Sequence, residues 1–272
     1  MKTLFSKKFN IFILIIISCL FLVPYFIMLI SCFSTNSAIK GNDILNNISL
    51  NNFIFNFNLL IKEKYLINSL LNSFIVSIFA SLLSVFMSSM AGYGYMICEK
   101  NKKIKKLYLF SFFPMLIPSF ILIIPIFLIF NSLNLIDTYI ALIIGSISVS
   151  FNIYLFKQNS KLLPIELLKI ARIDGLSEFS IYKKIYIPCM KPVFVTALLL
   201  SFLESWNALL IPSVIARSKE MFTNTLFLNS LGTIWSSDYG LLMISLIFST
   251  IPIIVLFIIF QKNFKSGINI SN

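Results

Sequence analysis

The residues best equipped for specific chemistry lie in one polar stretch of an otherwise apolar chain: Pro164-Ile165-Glu166-Leu167-Leu168-Lys169-Ile170-Ala171-Arg172-Ile173-Asp174-Gly175, then Leu176-Ser177-Glu178 and a run onward to Pro188 and Pro192. Glu166, Lys169 and Arg172 recur every third residue. On a helix they drift slowly round one face, while Leu167, Leu168 and Ala171 supply another. Pro164 suits a first helical turn, where its missing N–H would be unsatisfied anyway. Gly175 can take the left-handed conformation that stops a helix. Ser177 is a good cap for a second helix running to about Tyr186, with Glu178 near its positive end. A helix, a glycine break and a second helix carrying mixed charge form a surface for a protein partner to grip. They do not form a catalytic set.

A second polar group interrupts an apolar run: Glu204, Trp206 and Asn207. A carboxylate about 12 residues into a membrane span is costly in hydrocarbon, so it should face a bundle interior or water. Asn207 can both donate and accept hydrogen bonds, and Trp206 offers a flat apolar face. At about 100° per residue, Glu204 and Asn207 share a face and Trp206 lies well round from both. Two roles stay open for the polar face, contact with a solute or hydrogen bonding between helices. Other chemistry is poorly supplied. No histidine is present, which argues against a zinc site or His-based acid–base catalysis, and the four cysteines form no CxxC pair. The eight glycines include no G-x-x-x-x-G-K-[ST] phosphate cradle. We therefore expect no catalytic residue, no metal and no cofactor in this chain.

The elements that must hold these residues are membrane spans. The 272 residues are 58% hydrophobic and only 12% charged, which selects a polytopic membrane protein over a soluble domain. Runs of about 20 apolar residues or more occur at roughly 11–31, 68–97, 107–131, 139–157, 193–215 and 239–260, which predicts an all-α protein with six transmembrane helices. Seventeen of the 22 basic residues fall on one side of the implied membrane and five on the other. Both termini and the segment 157–192 are thus expected in the cytoplasm. The net charge of +12 comes from clusters flanking apolar runs, so it points to membrane orientation and lipid, not to nucleic acid. Lys-rich residues 1–10 followed by an apolar run and Leu29-Ile30-Ser31-Cys32 faintly resemble a lipoprotein signal, but the run is long for one and five further spans follow. Small residues crowd the second span (Ser77, Ala80, Ser81, Ser84, Ser88, Ser89, Ala91, Gly92, Gly94), as close helix packing requires. The outer loop from about Phe33 to Ile67 is long enough to help dock another protein.

The segment from Pro164 also resembles the EAA loop of bacterial ABC importer permeases, in the form found among carbohydrate-uptake permeases of the maltose-permease type: roughly P-x-E-L-x-E-A-A-x-I-D-G, then a short helix ending I-x-L-P and another proline. Pro164, Glu166, Leu167, Ala171, Ile173, Asp174, Gly175, Ile185, Pro188 and Pro192 match it, whereas Lys169 replaces the motif's glutamate and Ile170 its first alanine. Pro118, Pro125 and Leu133-Asn134-Leu135-Ile136-Asp137-Thr138 resemble the family's third span and outer turn. Phe202 with Trp206-Asn207 and Pro212 is similar to its F-x-x-x-W-N segment, and Gln261, Phe264 and Gly267 to the start of its tail.

The resemblance implies a type I ABC importer transmembrane domain in the bacterial inner membrane, a single permease domain over 1–272 with its core at 68–260. It implies coupling to a separate ATPase through Glu166, Lys169, Ala171, Arg172, Asp174 and Gly175. ATP and Mg would be held by that ATPase, present in two copies. Further implied partners are a second permease subunit, homologous or identical, and an external solute-binding protein. Glu204, Trp206 and Asn207 would belong to the substrate pathway. The solute would be a sugar or oligosaccharide; a permease for a polyamine, phosphonate or amino acid shares the loop pattern. A stand-alone secondary transporter, with Glu204 as its ion site, is the reading from another class.

Overall fold

The computed structural model describes residues 2–41, 43–232 and 238–268, and within them every regular element is helical. In chain order these are α1 (Lys2–Ser31), the short α2 (Asn36–Lys40), α3 (Leu50–Lys62), α4 (Lys64–Ile97), α5 (Lys102–Phe110), α6 (Ser119–Ser132), α7 (Tyr139–Gly145) and α8 (Ser150–Asn159). After them come α9 (Ile165–Ile173), α10 (Glu178–Ile181), α11 (Ile187–Cys189), α12 (Lys191–Trp206), α13 (Leu210–Ile215), α14 (Asn224–Leu231) and α15 (Tyr239–Ile268).

The chain is an all-α membrane protein, but its spans are not six plain helices. Three helices, α1, α4 and α15, are each long and apolar enough to cross a bilayer. Three more pairs of helices are long and apolar enough only when taken together, and each is sharply bent: Lys102–Leu116 with α6 at 97°, α7 with α8 at 51°, and Glu178–Cys189 with α12 at 81°, so six spans result where each pair contributes one. The single helix expected over 107–131 is thus corrected. Pro114 and Pro118 remove two amide donors close together, and Ile117 before Pro118 is extended, so α5 ends and α6 begins anew. The run 139–157 breaks between Gly145 and Ser150. The run 193–215 breaks after Trp206, where Asn207 ends α12 by donating its side-chain amide to the Leu203 carbonyl at 2.9 Å. By contrast Pro24, Pro125 and Pro252 are absorbed inside α1, α6 and α15. The basic residues near both termini (Lys2, Lys7, Lys8, Lys262, Lys265) and the tail position Phe264 are followed only as helix backbone. Their side chains, and residues 269–272, lie outside the described residues.

Residues up to 66 together with 228–251 form one compact unit, and 67–227 with the remainder form another. In the first, the expected outer loop is largely helical. Ser49 caps α3 by accepting from the Asn51 amide, Asn56 donates to the Cys32 carbonyl at 2.9 Å, and the Phe33, Phe53 and Phe57 rings stack in series at 4.8 and 6.0 Å.

In the second unit the small residues of α4 do what close packing predicts. Ser77, Ala80, Ser84, Ser88 and Ser89 are buried, and Asn152 of α8 bonds both Ser84 at 3.0 Å and Ser201 of α12 at 2.6 Å. At Gly92 a Cβ would lie 2.6 Å from that of Phe156, so α4 and α8 touch backbone to side chain there. The turn after α6 is a second helix stop, built without glycine. Asn134 holds φ of 54° and the Leu135 amide reaches back to the Phe130 carbonyl at 2.9 Å. Asp137, at φ of 64°, then accepts from the Arg217 and Ser218 amides at 2.8 and 3.1 Å, tying this turn to the end of α13.

Candidate functional site

Alone, a nine-residue helix such as α9 is marginal in water. It is held by its ends and by one buried stripe. Leu168 and Ala171 point inward, into a core that contains Val85 and Tyr93 of α4, Phe156 of α8, Leu163, Ile181 of α10, Tyr182, Tyr186, Met190 and Ala197 of α12. The other face is open: Ile165, Glu166, Leu167, Lys169, Ile170, Arg172 and Ile173 are all exposed, Ile173 to 84%. Leu167, grouped by sequence on one face with Leu168 and Ala171, is outside, while those two are buried. Of the six residues implied to meet the ATPase, Ala171 faces the core; the other five are exposed.

The stop after α9 has complete geometry. Gly175 adopts φ of +80°, its amide donates to the Arg172 carbonyl at 3.1 Å, and the Leu176 amide donates to that of Ala171 at 3.0 Å. Leu176 then packs on the core just described. This is the double-bonded stop that satisfies the last carbonyls of a helix. Ser177 accepts from the Ser180 amide at 3.3 Å and starts α10. Beyond α10 the chain widens into a π turn at Tyr182–Tyr186 and continues helically to Cys189, three residues past the expected end near Tyr186. Tyr182 and Tyr186 are both buried there, within 5.6 and 5.0 Å of the Tyr93 ring, and Ser89 of α4 bonds the Tyr182 hydroxyl at 2.7 Å.

A clamp closes this loop. Arg172 in the last turn of α9 donates Nε to Glu178 Oε1 at 2.6 Å and Nη2 to Oε2 at 3.3 Å, and Tyr93 of α4 donates its hydroxyl to Oε2 at 2.7 Å. Each charge also lies at the helix end whose dipole favours it. The Arg172 hydrogen bond, followed by that from Tyr93, holds the Glu178 carboxyl below its ordinary value, and Glu178 raises Arg172 in return. From the sequence Glu178 is placed only in a first helical turn, near the positive helix end. Its link to Tyr93, 85 positions away, carries no local signal.

The second group is divided by the structure as helical geometry required. Glu204 and Asn207 are exposed together, whereas Trp206 is 2% exposed, stacked on Phe202 at 5.6 Å. The Trp206 carbonyl accepts from the Thr225 hydroxyl at 2.8 Å. Among the described residues no hydrogen bond or ion pair engages the Glu204 side chain. Nearby, Asn72 donates to the Glu220 and Phe222 carbonyls at 2.7 and 3.0 Å and Ser73 accepts from the Asn224 amide at 2.7 Å, so α4 stitches down the stretch after α13. None of these partners stood out in the sequence, because lone Asn and Ser residues in an apolar helix have no pattern.

Comparison with known proteins agrees with this architecture. Residues 96–270 match the family model described as binding-protein-dependent transport system inner membrane component. The chain is 34% identical to the arabinooligosaccharides transport system permease protein AraQ of Bacillus subtilis, over 93% of this chain and 91% of that one. It is 33% identical to the lactose transport system permease protein LacG of Rhizobium radiobacter, over 72% and 71%. Its fold matches a chain from the crystal structure of a bacterial ABC transporter involved in the import of the acidic polysaccharide alginate, with a TM-score of 0.75 at 22% identity, covering 93% of this chain and 94% of that one.

Proposed function

The chain belongs to the family of binding-protein-dependent transport system inner membrane components, and on that premise we propose that it is the permease subunit of an ABC importer for a sugar or oligosaccharide, driven through α9. The sugar assignment is supported by relatives named for arabinooligosaccharides and lactose. Both termini and the loop 157–192 lie in the cytoplasm in this reading, as the distribution of lysines favours. Cysteine labelling at positions 103 and 183 from that side alone tests it.

One observation carries the coupling proposal: α9 exposes a mixed apolar and charged face while its inner stripe is locked to α4, α8 and α12. A partner gripping Ile165, Glu166, Lys169, Ile170 and Ile173 therefore moves three spans, not a free loop. Two copies of an ATP-hydrolysing subunit would seat α9 and its counterpart on a second permease. ATP and Mg, bound by those subunits, would draw them together and carry the loop with them. The Arg172–Glu178–Tyr93 clamp would make α9 and α10 move as one body with α4. Solute delivered by an external binding protein would then meet a pathway lined in part by Glu204 and Asn207, with Trp206 packing behind them.

The test is uptake of labelled arabino-oligosaccharide, lactose and malto-oligosaccharide by cells with and without the chain. Loss of uptake for one of these on deletion supports the reading. Unchanged sugar uptake together with lost uptake of a polyamine, phosphonate or amino acid would move the chain to another solute class.

A further inference from the structure

The densest charge in the described chain lies away from both sites above. Lys100, Lys102, Lys103, Lys105 and Lys106 fall within seven residues at the start of α5, and Lys157 and Lys161 approach from the end of α8. Only one acid, Glu99, stands among them. Between these elements lies a cleft of about 150 Å³ lined by Tyr95, Glu99, Ile104, Lys105, Tyr108, Leu109 and Lys157. Lys157 pairs with Glu99 at 2.7 Å and lies 5.1 Å from the Tyr108 ring centroid. The Lys157 hydrogen bond, and behind it the fields of Lys161 and Lys105, hold the Glu99 carboxyl below its ordinary value. Lys100, Lys102, Lys103, Lys105 and Lys106 are exposed, and among the described residues none has an ion-pair partner.

Depth is fixed by the neighbours. Tyr95, Tyr108, Phe112 and Tyr154 form a ladder of edge-on rings at 5.2, 4.9 and 6.0 Å, the kind of amphipathic aromatic belt found at headgroup level. The last turn of α5 is apolar and exposed at Leu107, Leu109 and Phe110. Because the segment Lys102–Leu116 turns by 97° from α6, it lies near the membrane surface when α6 crosses the bilayer. One end of α5 thus presents unpaired ammonium groups and the other presents hydrocarbon.

We propose that this cleft and the lysines at its rim bind the phosphate headgroup of an anionic phospholipid, whose acyl chains lie against Leu107, Leu109 and Phe110. Lys105 is the principal cation at the cleft, and Lys157, already offset by Glu99, shapes its wall. The inference rests on the membrane reading alone and not on which solute is carried.

The experiment is native mass spectrometry of the intact complex in detergent, titrated with phosphatidylglycerol or with phosphatidylcholine of the same chains. The wild type should retain phosphatidylglycerol preferentially. Lys105→Gln with Lys106→Gln should weaken that retention roughly fivefold for each lysine removed, from the attraction of a lysine to an anionic surface. Lys183→Gln with Lys184→Gln, the same charge loss elsewhere, should leave it unchanged. Equal retention of the two lipids, or equal loss from both variant pairs, would overturn the site. So would loss of a bound protein subunit from the Lys105/Lys106 variant while phosphatidylglycerol stays bound, because the patch would then be a protein contact.

Discussion

Removing Glu178 should loosen α9 while leaving the chain inserted. Glu178→Ala deletes the Arg172 pair and leaves the Tyr93 hydroxyl without its acceptor. The two charged side chains are 38% and 50% exposed, so the pair is screened and contributes about 0.5–1 kcal/mol. The Tyr93 hydroxyl is far less exposed to water, and an orphaned donor of that kind costs about 1–2 kcal/mol. Together these predict a loss of about 2 kcal/mol in the local stability of α9. Because each 1.36 kcal/mol is tenfold, amides from Leu168 to Leu176 should exchange with deuterium roughly thirtyfold faster in the assembled complex. Glu178→Gln keeps an acceptor for Tyr93 and should lose only about half of that. The pH dependence has a definite sign. The carboxyl is depressed in the folded state, so its contribution is full above the ordinary value and is lost as pH falls through the depressed one, below 4.5. Protection should be flat through neutral pH. Unchanged exchange in Glu178→Ala would show that the core alone holds α9 and that the clamp is ornamental.

Three further outcomes follow from the same geometry. Gly175→Val should cost about 1–2 kcal/mol locally and lower transport-coupled ATP hydrolysis with insertion intact, whereas Gly175→Asn should largely restore it; since a Cβ there meets nothing within 4 Å, the effect is conformational, and normal coupling in the Val variant would remove Gly175 as a required stop. Lys169 is exposed where the resembling motif has glutamate, so Lys169→Glu should weaken co-purification of the ATPase several-fold and an acidic-to-basic change on the partner should restore it; unaltered assembly would mean the position is merely solvated. Glu204→Gln and Asn207→Ala should each reduce solute uptake at least severalfold at unchanged membrane level and assembly, and loss of assembly in both would make that face a helix contact instead.

Local chemistry was readable where one residue type has one job. Gly175 at positive φ, Ser177 as a cap and the buried serines of α4 followed from residue type and spacing. So did the split between Trp206 and the Glu204/Asn207 face, which needs only the helical period. Three features did not follow. Leu167 is exposed although apolar, which the sequence does not signal because much of any folded protein's surface is apolar. The breaks at 146–149 and 207–209 carry no proline, and the bonds that the Ser148 carbonyl accepts from Ser84 of α4 and the Trp206 carbonyl from Thr225 of α14 come from partners that no window of sequence contains. The Tyr93–Glu178 bond spans two segments far apart in sequence, and only the tertiary fold brings them within 2.7 Å.

The central claim is that this chain moves solute only when a separate ATPase works through α9. Proteoliposomes containing the chain, a second permease, the ATPase and the external binding protein allow the decisive measurement: solute uptake with internal or external ATP and Mg, compared with an imposed proton or sodium gradient and no nucleotide. The account predicts uptake strictly dependent on ATP, insensitive to either gradient, and abolished by Ile170→Asp on the exposed face of α9 although the chain still inserts. Uptake driven by an ion gradient without ATP, and lost in Glu204→Gln, would contradict it and make the chain a secondary transporter.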